Sequence, residues 1–69
     1  MISNSEQISV DIRAAGLRNT QSRMAVLGLL RRSMRPLTHG EVVEHFSKKC
    51  WDRATLYRNL VDMAEAGLL

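Results

Sequence analysis

The stretch from Asp52 to Leu69 constrains the fold most, because it has the start, the apolar stripe and the end signal of one helix. Asp52 is suited to the N-cap, where a carboxylate accepts hydrogen bonds from otherwise unpaired backbone N–H groups. Trp51 before the cap and Leu56 in the next turn have the spacing of a hydrophobic staple. The pattern therefore predicts a helix that starts after Asp52.

The rest of this helix needs a core to pack against. Its predicted apolar stripe consists of Leu56, Leu60 and either Met63 or Ala64. Gly67 can take the left-handed conformation that closes a helix, and Leu68 can then pack back on Met63.

Three further helices are predicted before this one. The first runs from about Ser5 to Ala15, and Gly16 ends it. The second follows the N-cap Thr20 and reaches about Ser33. The residues predicted to face the core are Ile8, Ile12 and Ala15 in the first helix, and Met24, Leu27, Leu30 and Met34 in the second.

The third helix is predicted to begin at a capping box formed by Thr38 and Glu41, and to fade near Lys48 or Lys49. Its residues Val42, Val43 and Phe46 are predicted to face inward. The fold class is therefore mainly α.

Length and composition limit the kind of protein. Sixty-nine residues make one small domain, and a formal charge of +3 suits a polyanionic partner. Cys50 is the only cysteine, which excludes an internal disulfide. No apolar run has transmembrane length, and the first residues, Met-Ile-Ser-Asn-Ser-Glu, lack the basic-then-apolar layout of a signal peptide. We therefore expect no membrane partner and a cytoplasmic location.

The first turns of the last helix carry polar side chains that a DNA recognition helix uses in the major groove. They are Arg53, Thr55, Tyr57, Arg58 and Asn59. An ordinary solvated helix face is the alternative for the set. A partly buried core aromatic is the alternative for Tyr57.

Three motifs resemble the ferric uptake regulator family of bacterial repressors. Residues 54–60, Ala-Thr-Leu-Tyr-Arg-Asn-Leu, followed by Glu-Ala-Gly-Leu at 65–68, are similar to the recognition-helix signature of that family. Residues 16–23, Gly-Leu-Arg-Asn-Thr-Gln-Ser-Arg, resemble the entry into its second helix. Leu37 and Thr38, with Glu41 and Val42, resemble the start of its third.

This resemblance implies a winged helix-turn-helix DNA-binding domain with the wing strands missing or truncated. Residues 1–69 would form the N-terminal DNA-reading half of a metal- or peroxide-responsive repressor, without its metal-binding and dimerisation half. The intact regulator would be a homodimer that binds zinc and a regulatory divalent metal such as iron. We expect the chain itself to be monomeric, to bind a double-stranded operator and to hold no cofactor.

A second group of residues is also predicted to bind DNA. The resemblance places a basic residue at Arg18, reaching the backbone or the minor groove. Thr20 opens the second helix, whose free N–H groups and positive pole suit a phosphate. Thr20 can also act as a plain N-cap, and the two roles are compatible. Arg23 is the third predicted member of this group, and the alternative for it is a structural ion pair with a carboxylate.

Metal and catalytic sites find little support in the sequence. Glu41 and His45 have the i, i+4 spacing of a ligand pair, but an exposed pair on a solvated face explains them better. In the resembled family a regulatory His stands two residues before Thr38, where this chain has Pro36. No arrangement of a catalytic triad or a phosphate-binding loop is present, so we predict no enzyme. The rival function is a winged-helix module that docks on protein.

Overall fold

The computed structural model describes residues 4–46 and 51–69, and these residues form four α-helices and no strand. The helices are α1 (Asn4–Ala14), α2 (Gln21–Arg32), α3 (His39–His45) and α4 (Arg53–Glu65). The predicted mainly α fold is confirmed for this part of the chain. None of these helices has both the length and the apolar character needed to cross a membrane.

Three helices begin at the predicted caps. Thr20, Thr38 and Asp52 have extended backbones, and each side chain accepts a hydrogen bond from the backbone N–H three residues later, at 3.2, 3.1 and 2.8 Å. The Thr38 N–H donates to the Glu41 carboxylate at 2.9 Å, which completes the capping box.

Two helices end in the same way. Gly16 and Gly67 both have φ of 84°, the left-handed conformation that a residue without Cβ adopts at low cost. After Gly16, the N–H of Leu17 donates to the Ile12 carbonyl at 3.1 Å. After Gly67, the N–H of Leu68 donates to the Met63 carbonyl at 2.9 Å. Both Schellman closures agree with the sequence prediction.

α2 ends where it was predicted to, but one residue of the predicted buried stripe lies beyond that end. The helix stops at Arg32, and Ser33 has an extended backbone with ψ of 139°. Met34 therefore no longer follows the helical period, and its side chain is fully exposed, so its assignment to the buried stripe was wrong. Val26 and Leu29 are buried instead, while Met24 and Leu30 pack at the edge of the core.

The core lies between the four helices. α2 packs against α1 and α4, and α3 packs against α4. The buried apolar residues of the core are Ile12, Val26, Leu27, Leu29, Val42, Phe46, Leu56 and Met63. Of the two alternatives for the last turn of the α4 stripe, Met63 is buried and Ala64 is exposed.

α3 is shorter than predicted, since it ends at His45 with Phe46 as its C-cap. The predicted end at Lys48 or Lys49 lies outside the described residues, as does Cys50. Beyond that gap Trp51 packs on the core, and its ring meets the Phe46 ring edge-on with centroids 5.6 Å apart. The Trp51–Phe46 contact joins the start of α4 to the end of α3.

Candidate nucleic-acid interface

The start of α4 presents four of the five predicted polar side chains to solvent. Arg53, Thr55, Tyr57 and Arg58 are exposed, whereas Leu56 between them is buried. This alternation follows from the 3.6-residue period of a helix whose opposite side faces the core. The helix therefore separates a core-facing side from a polar outer side.

Tyr57 and Arg58 are exposed neighbours on the surface of this helix. They line a shallow surface groove together with Ala54, Val61, Asp62 and Glu65. The Tyr57 side chain is 55% exposed, which excludes the core-aromatic alternative. A phenol and a guanidinium side by side on a helix surface can contact a base edge or a phosphate.

Arg53 and Thr55 lie on the two flanks of α4. Arg53 lines a depression against α3 with His39, Gly40 and Val43. The Thr55 backbone N–H and hydroxyl both bond to Asp52 and lower the pKa of its carboxyl, with the backbone bond as the larger cause. Thr55 therefore stabilises the helix start and also stands at its surface.

His39 contacts Tyr57, although the sequence analysis did not include it among the candidate DNA-binding residues. The two rings meet edge to face, with centroids 4.9 Å apart and an interplanar angle of 69°. The His39 Nε2 atom is buried and has no hydrogen-bond partner among the described residues. The sequence analysis could not identify this contact, because it depends on how α3 packs against α4.

Asn59 does not belong to the exposed group. Its side chain is only 5% exposed, and its Nδ2 donates to the Ser22 Oγ of α2 at 2.9 Å. The position explains this, because Asn59 falls three residues after Leu56 and four before Met63, on the buried stripe. We therefore correct the prediction that Asn59 reads DNA, since the structure gives it a role inside the domain.

The second predicted group lies at the start of α2. Arg18 is exposed in the connection between α1 and α2, and Thr20 is the N-cap. Arg23 takes the carboxylate-pairing alternative, because its Nη2 contacts Asp62 Oδ2 of α4 at 2.6 Å. With 14% of its side chain exposed, Arg23 is not available as a free cation.

The charges around α3 are arranged in local pairs. The Arg35 guanidinium forms an ion pair with Glu41, and together with the Thr38 N–H it lowers the pKa of that carboxyl to about 2. Glu41 is thus committed to the helix start, and the His45 ring packs edge-on against Phe46. With these contacts, Glu41 and His45 are not arranged as a pair of metal ligands. Within residues 4–46 and 51–69, no group of three His, Cys, Asp or Glu side chains is close enough together to hold a metal ion.

The helical fold and the polar outer side of α4 define a small domain suited to contact with nucleic acid. A model of the ferric uptake regulator family matches residues 14–69, and the chain belongs to that family. This confirms the resemblance. Members are DNA-binding transcriptional regulators rather than enzymes, and they typically bind metals. Comparison with curated proteins and with solved structures gave no match.

Proposed function

We propose that the chain binds duplex DNA with sequence specificity, as the DNA-reading part of a metal- or peroxide-responsive repressor. In this proposal α3 and α4 are the two helices of a winged helix-turn-helix, and α4 enters the major groove. The observation that carries the proposal is the exposure of Tyr57 and Arg58 within a family match that covers them.

Each exposed residue then has a chemical role. The Tyr57 ring can contact a thymine methyl and its hydroxyl a phosphate, while Arg58 can form a bidentate bond to a guanine edge or contact a phosphate. Arg53 and Thr55 flank these two and contact the DNA backbone. Arg18 and the N–H groups after Thr20 form a second backbone contact at the start of α2.

We propose that residues 4–46 and 51–69 do not sense metal. Pro36 has no ligand atom where the family supplies a His, and Glu41 is held by Arg35 and Thr38. The His39 Nε2 atom is buried, and the His39 ring packs against the Tyr57 ring. A structural zinc site needs about four Cys or His ligands, which these residues do not bring together.

The test is the salt dependence of binding to a duplex that the chain itself selects from a random pool. Fluorescence anisotropy gives the Kd at several salt concentrations. Each phosphate contact makes the slope of log affinity against log salt more negative by about 0.9, so roughly two to four contacts give a slope of about −2 to −4. Selection of no sequence, or no duplex binding at low salt, would reject the proposal and favour the protein-docking module.

A further inference from the structure

Arg23 joins two parts of the chain that the proposed function brings to DNA. Its Nη2 contacts Asp62 on α4 at 2.6 Å, and its Nη1 donates to the Arg18 carbonyl at 3.1 Å. Arg18 precedes α2, whereas Asp62 is in the third turn of α4. One planar guanidinium therefore spans the Arg18 connection and the last helix.

A second polar link lies beside the first. Asn59, three residues before Asp62, donates to Ser22 Oγ at 2.9 Å, and Ser22 Oγ lies 3.3 Å from Thr20 Oγ1. Thr20 Oγ1 in turn accepts the backbone N–H of Arg23. One face of α4 is thus connected twice to the start of α2.

We propose that Arg23 and Asp62 are positioning residues that fix the Arg18–Thr20 segment relative to α4, so that both contact one duplex together. The inference rests on the proposed function. When two contacts are held at the correct separation, the second forms in an effectively intramolecular step. If the link is broken, the segment samples other positions and this advantage falls.

Direct DNA contact by Arg23 explains the geometry less well. The side chain is 14% exposed, and two of its three nitrogens already contact protein acceptors. The two roles predict opposite signs for Asp62→Asn. If Arg23 were a DNA contact held back by Asp62, the variant would free it and bind DNA more tightly. If the pair positions the segment, the variant binds more weakly.

The experiment compares Asp62→Asn with Asp11→Asn. Asp11 also forms a 2.6 Å ion pair, with Arg31 between α1 and α2, and the two carboxylates are similarly exposed, at 26% for Asp11 and 28% for Asp62. Both variants remove one negative charge, and Asp62 lines the groove beside Tyr57 and Arg58. Loss of its charge should therefore favour DNA binding at least as much as loss of the Asp11 charge, so weaker binding by Asp62→Asn cannot come from charge. Affinity is measured by anisotropy on the duplex selected by the wild-type chain, at a temperature where circular dichroism shows each variant folded.

We expect Asp62→Asn to bind about tenfold more weakly than Asp11→Asn, within the range of couplings between residues of one network. Adding Arg18→Ala should then cost little in the Asp62→Asn background, although it weakens the wild-type chain. A loss of stability alone leaves the two effects additive. Equal affinities of the two Asn variants, tighter binding by Asp62→Asn, or additive losses would overturn the inference.

Arg23→Lys provides a second variant should Asp62→Asn not fold. Lysine keeps the positive charge but lacks the planar fork that reaches two acceptors at once. We expect the same loss of affinity and the same lack of additivity with Arg18→Ala, whereas wild-type affinity would contradict the positioning role. If the wild-type chain selects no duplex, the proposed function fails and the inference fails with it. Binding by the wild type with unaltered variants rejects the inference alone.

Discussion

Tyr57, Arg58 and Asn59 are consecutive in the chain, but they meet different surroundings. Tyr57 and Arg58 face solvent, and Asn59 faces Ser22 on the buried side of α4. Each step along a helix turns the side chain by about 100°, so one more residue is enough to move from the surface to the core. The proposed DNA contacts and the stability of the domain can therefore be tested separately at neighbouring residues.

Arg58→Ala should weaken binding to the selected duplex by about 1–3 kcal/mol, the usual contribution of a bidentate base contact. The thermal midpoint should not change, because the side chain is exposed. Arg13→Ala is the matched control, since it removes one exposed arginine from α1. Anisotropy showing equal affinities for the two variants would contradict a reading role for Arg58.

Asn59→Ala should lower the free energy of unfolding by about 1–3 kcal/mol, because it leaves the buried Ser22 hydroxyl without its donor. For a domain of this size the thermal midpoint falls roughly 4–8 °C per kcal/mol. Circular dichroism melts of the variant and of Arg58→Ala measure the difference. An unchanged midpoint with weaker DNA binding would return Asn59 to the reading group.

The exposure of the candidate residues Arg53, Thr55, Tyr57 and Arg58 was predictable from the sequence motif and the helical period. Asn59 could have been excluded by the same period, since it stands between Leu56 and Met63 on the buried stripe. The pairing of Arg23 with Asp62 could not be identified, because the two lie 39 residues apart and only the packing of α2 on α4 brings them together. The contact of His39 with Tyr57 has the same origin.

At the scale of the secondary-structure element, α3 depends most on its first turn. It has only seven residues, and an isolated helix of that length is unstable in water. The capping box and the burial of Val42 and Phe46 compensate for its short length. Changes at the box should therefore be measurable in the stability of the whole domain.

Thr38→Ala should lower the free energy of unfolding by about 1 kcal/mol, since the oxygen that accepts the Glu41 N–H is lost. Thr38→Ser keeps that oxygen and is the matched control. Thermal melts of both variants at neutral pH make the comparison. A midpoint for Thr38→Ala equal to that of the wild type would mean that the box contributes nothing to stability.

The same box predicts a dependence on pH. The pKa of Glu41 is about 2 in the folded chain, below its ordinary 4.5. The unfolded chain binds a proton more readily, so this stabilisation is complete above pH 4.5 and is lost as the pH falls toward 2. The thermal midpoint should fall over that interval.

Asp11 and Asp52 also have lowered pKa values in the folded chain, so their loss of stabilisation has the same sign. The Glu41→Gln variant isolates the share of Glu41, because glutamine does not titrate. Its midpoint should lie below that of the wild type at pH 7 and approach it at low pH. If the two midpoints differed by the same amount at pH 7 and at low pH, the effect of Glu41 would not come from its charge.

Helix starts were predicted better than helix faces. The caps at Thr20, Thr38 and Asp52 rest on bonds within three residues, which the local sequence specifies. The buried face of α2 depends on its contacts with both α1 and α4, so the predicted stripe missed Val26 and included Met34. Local signals specify where a helix begins, and tertiary packing selects the side that is buried.

At the scale of the whole molecule, ion pairs supplement a small core. Asp11–Arg31 joins α1 to α2, and Arg23–Asp62 joins α2 to α4. Ion pairs near a protein surface contribute little to stability. Their larger effect in this domain is on the relative placement of the helices, and the proposed DNA contacts depend on that placement.

The chain should sediment as a monomer at micromolar concentration. A stable dimer needs a contiguous interface of about 1,000 Å² or more, largely apolar at its centre. Within the described residues the exposed large aliphatic side chains are Val10, Met34 and Leu69, which stand on α1, after α2 and at the chain end. Analytical ultracentrifugation is the measurement, and a concentration-independent dimer would contradict the expectation.

The two glycines that close α1 and α4 define how the chain tolerates mutation. A Cβ at Gly16 or Gly67 would meet no atom within 4 Å, so bulk is not restricted at either position. The left-handed backbone costs an L-residue about 1–2 kcal/mol, and asparagine or aspartate less. Every single-nucleotide missense change of a glycine codon introduces a Cβ. Both sites are therefore sensitive to the loss of glycine because of their backbone conformation and not because a Cβ lacks space.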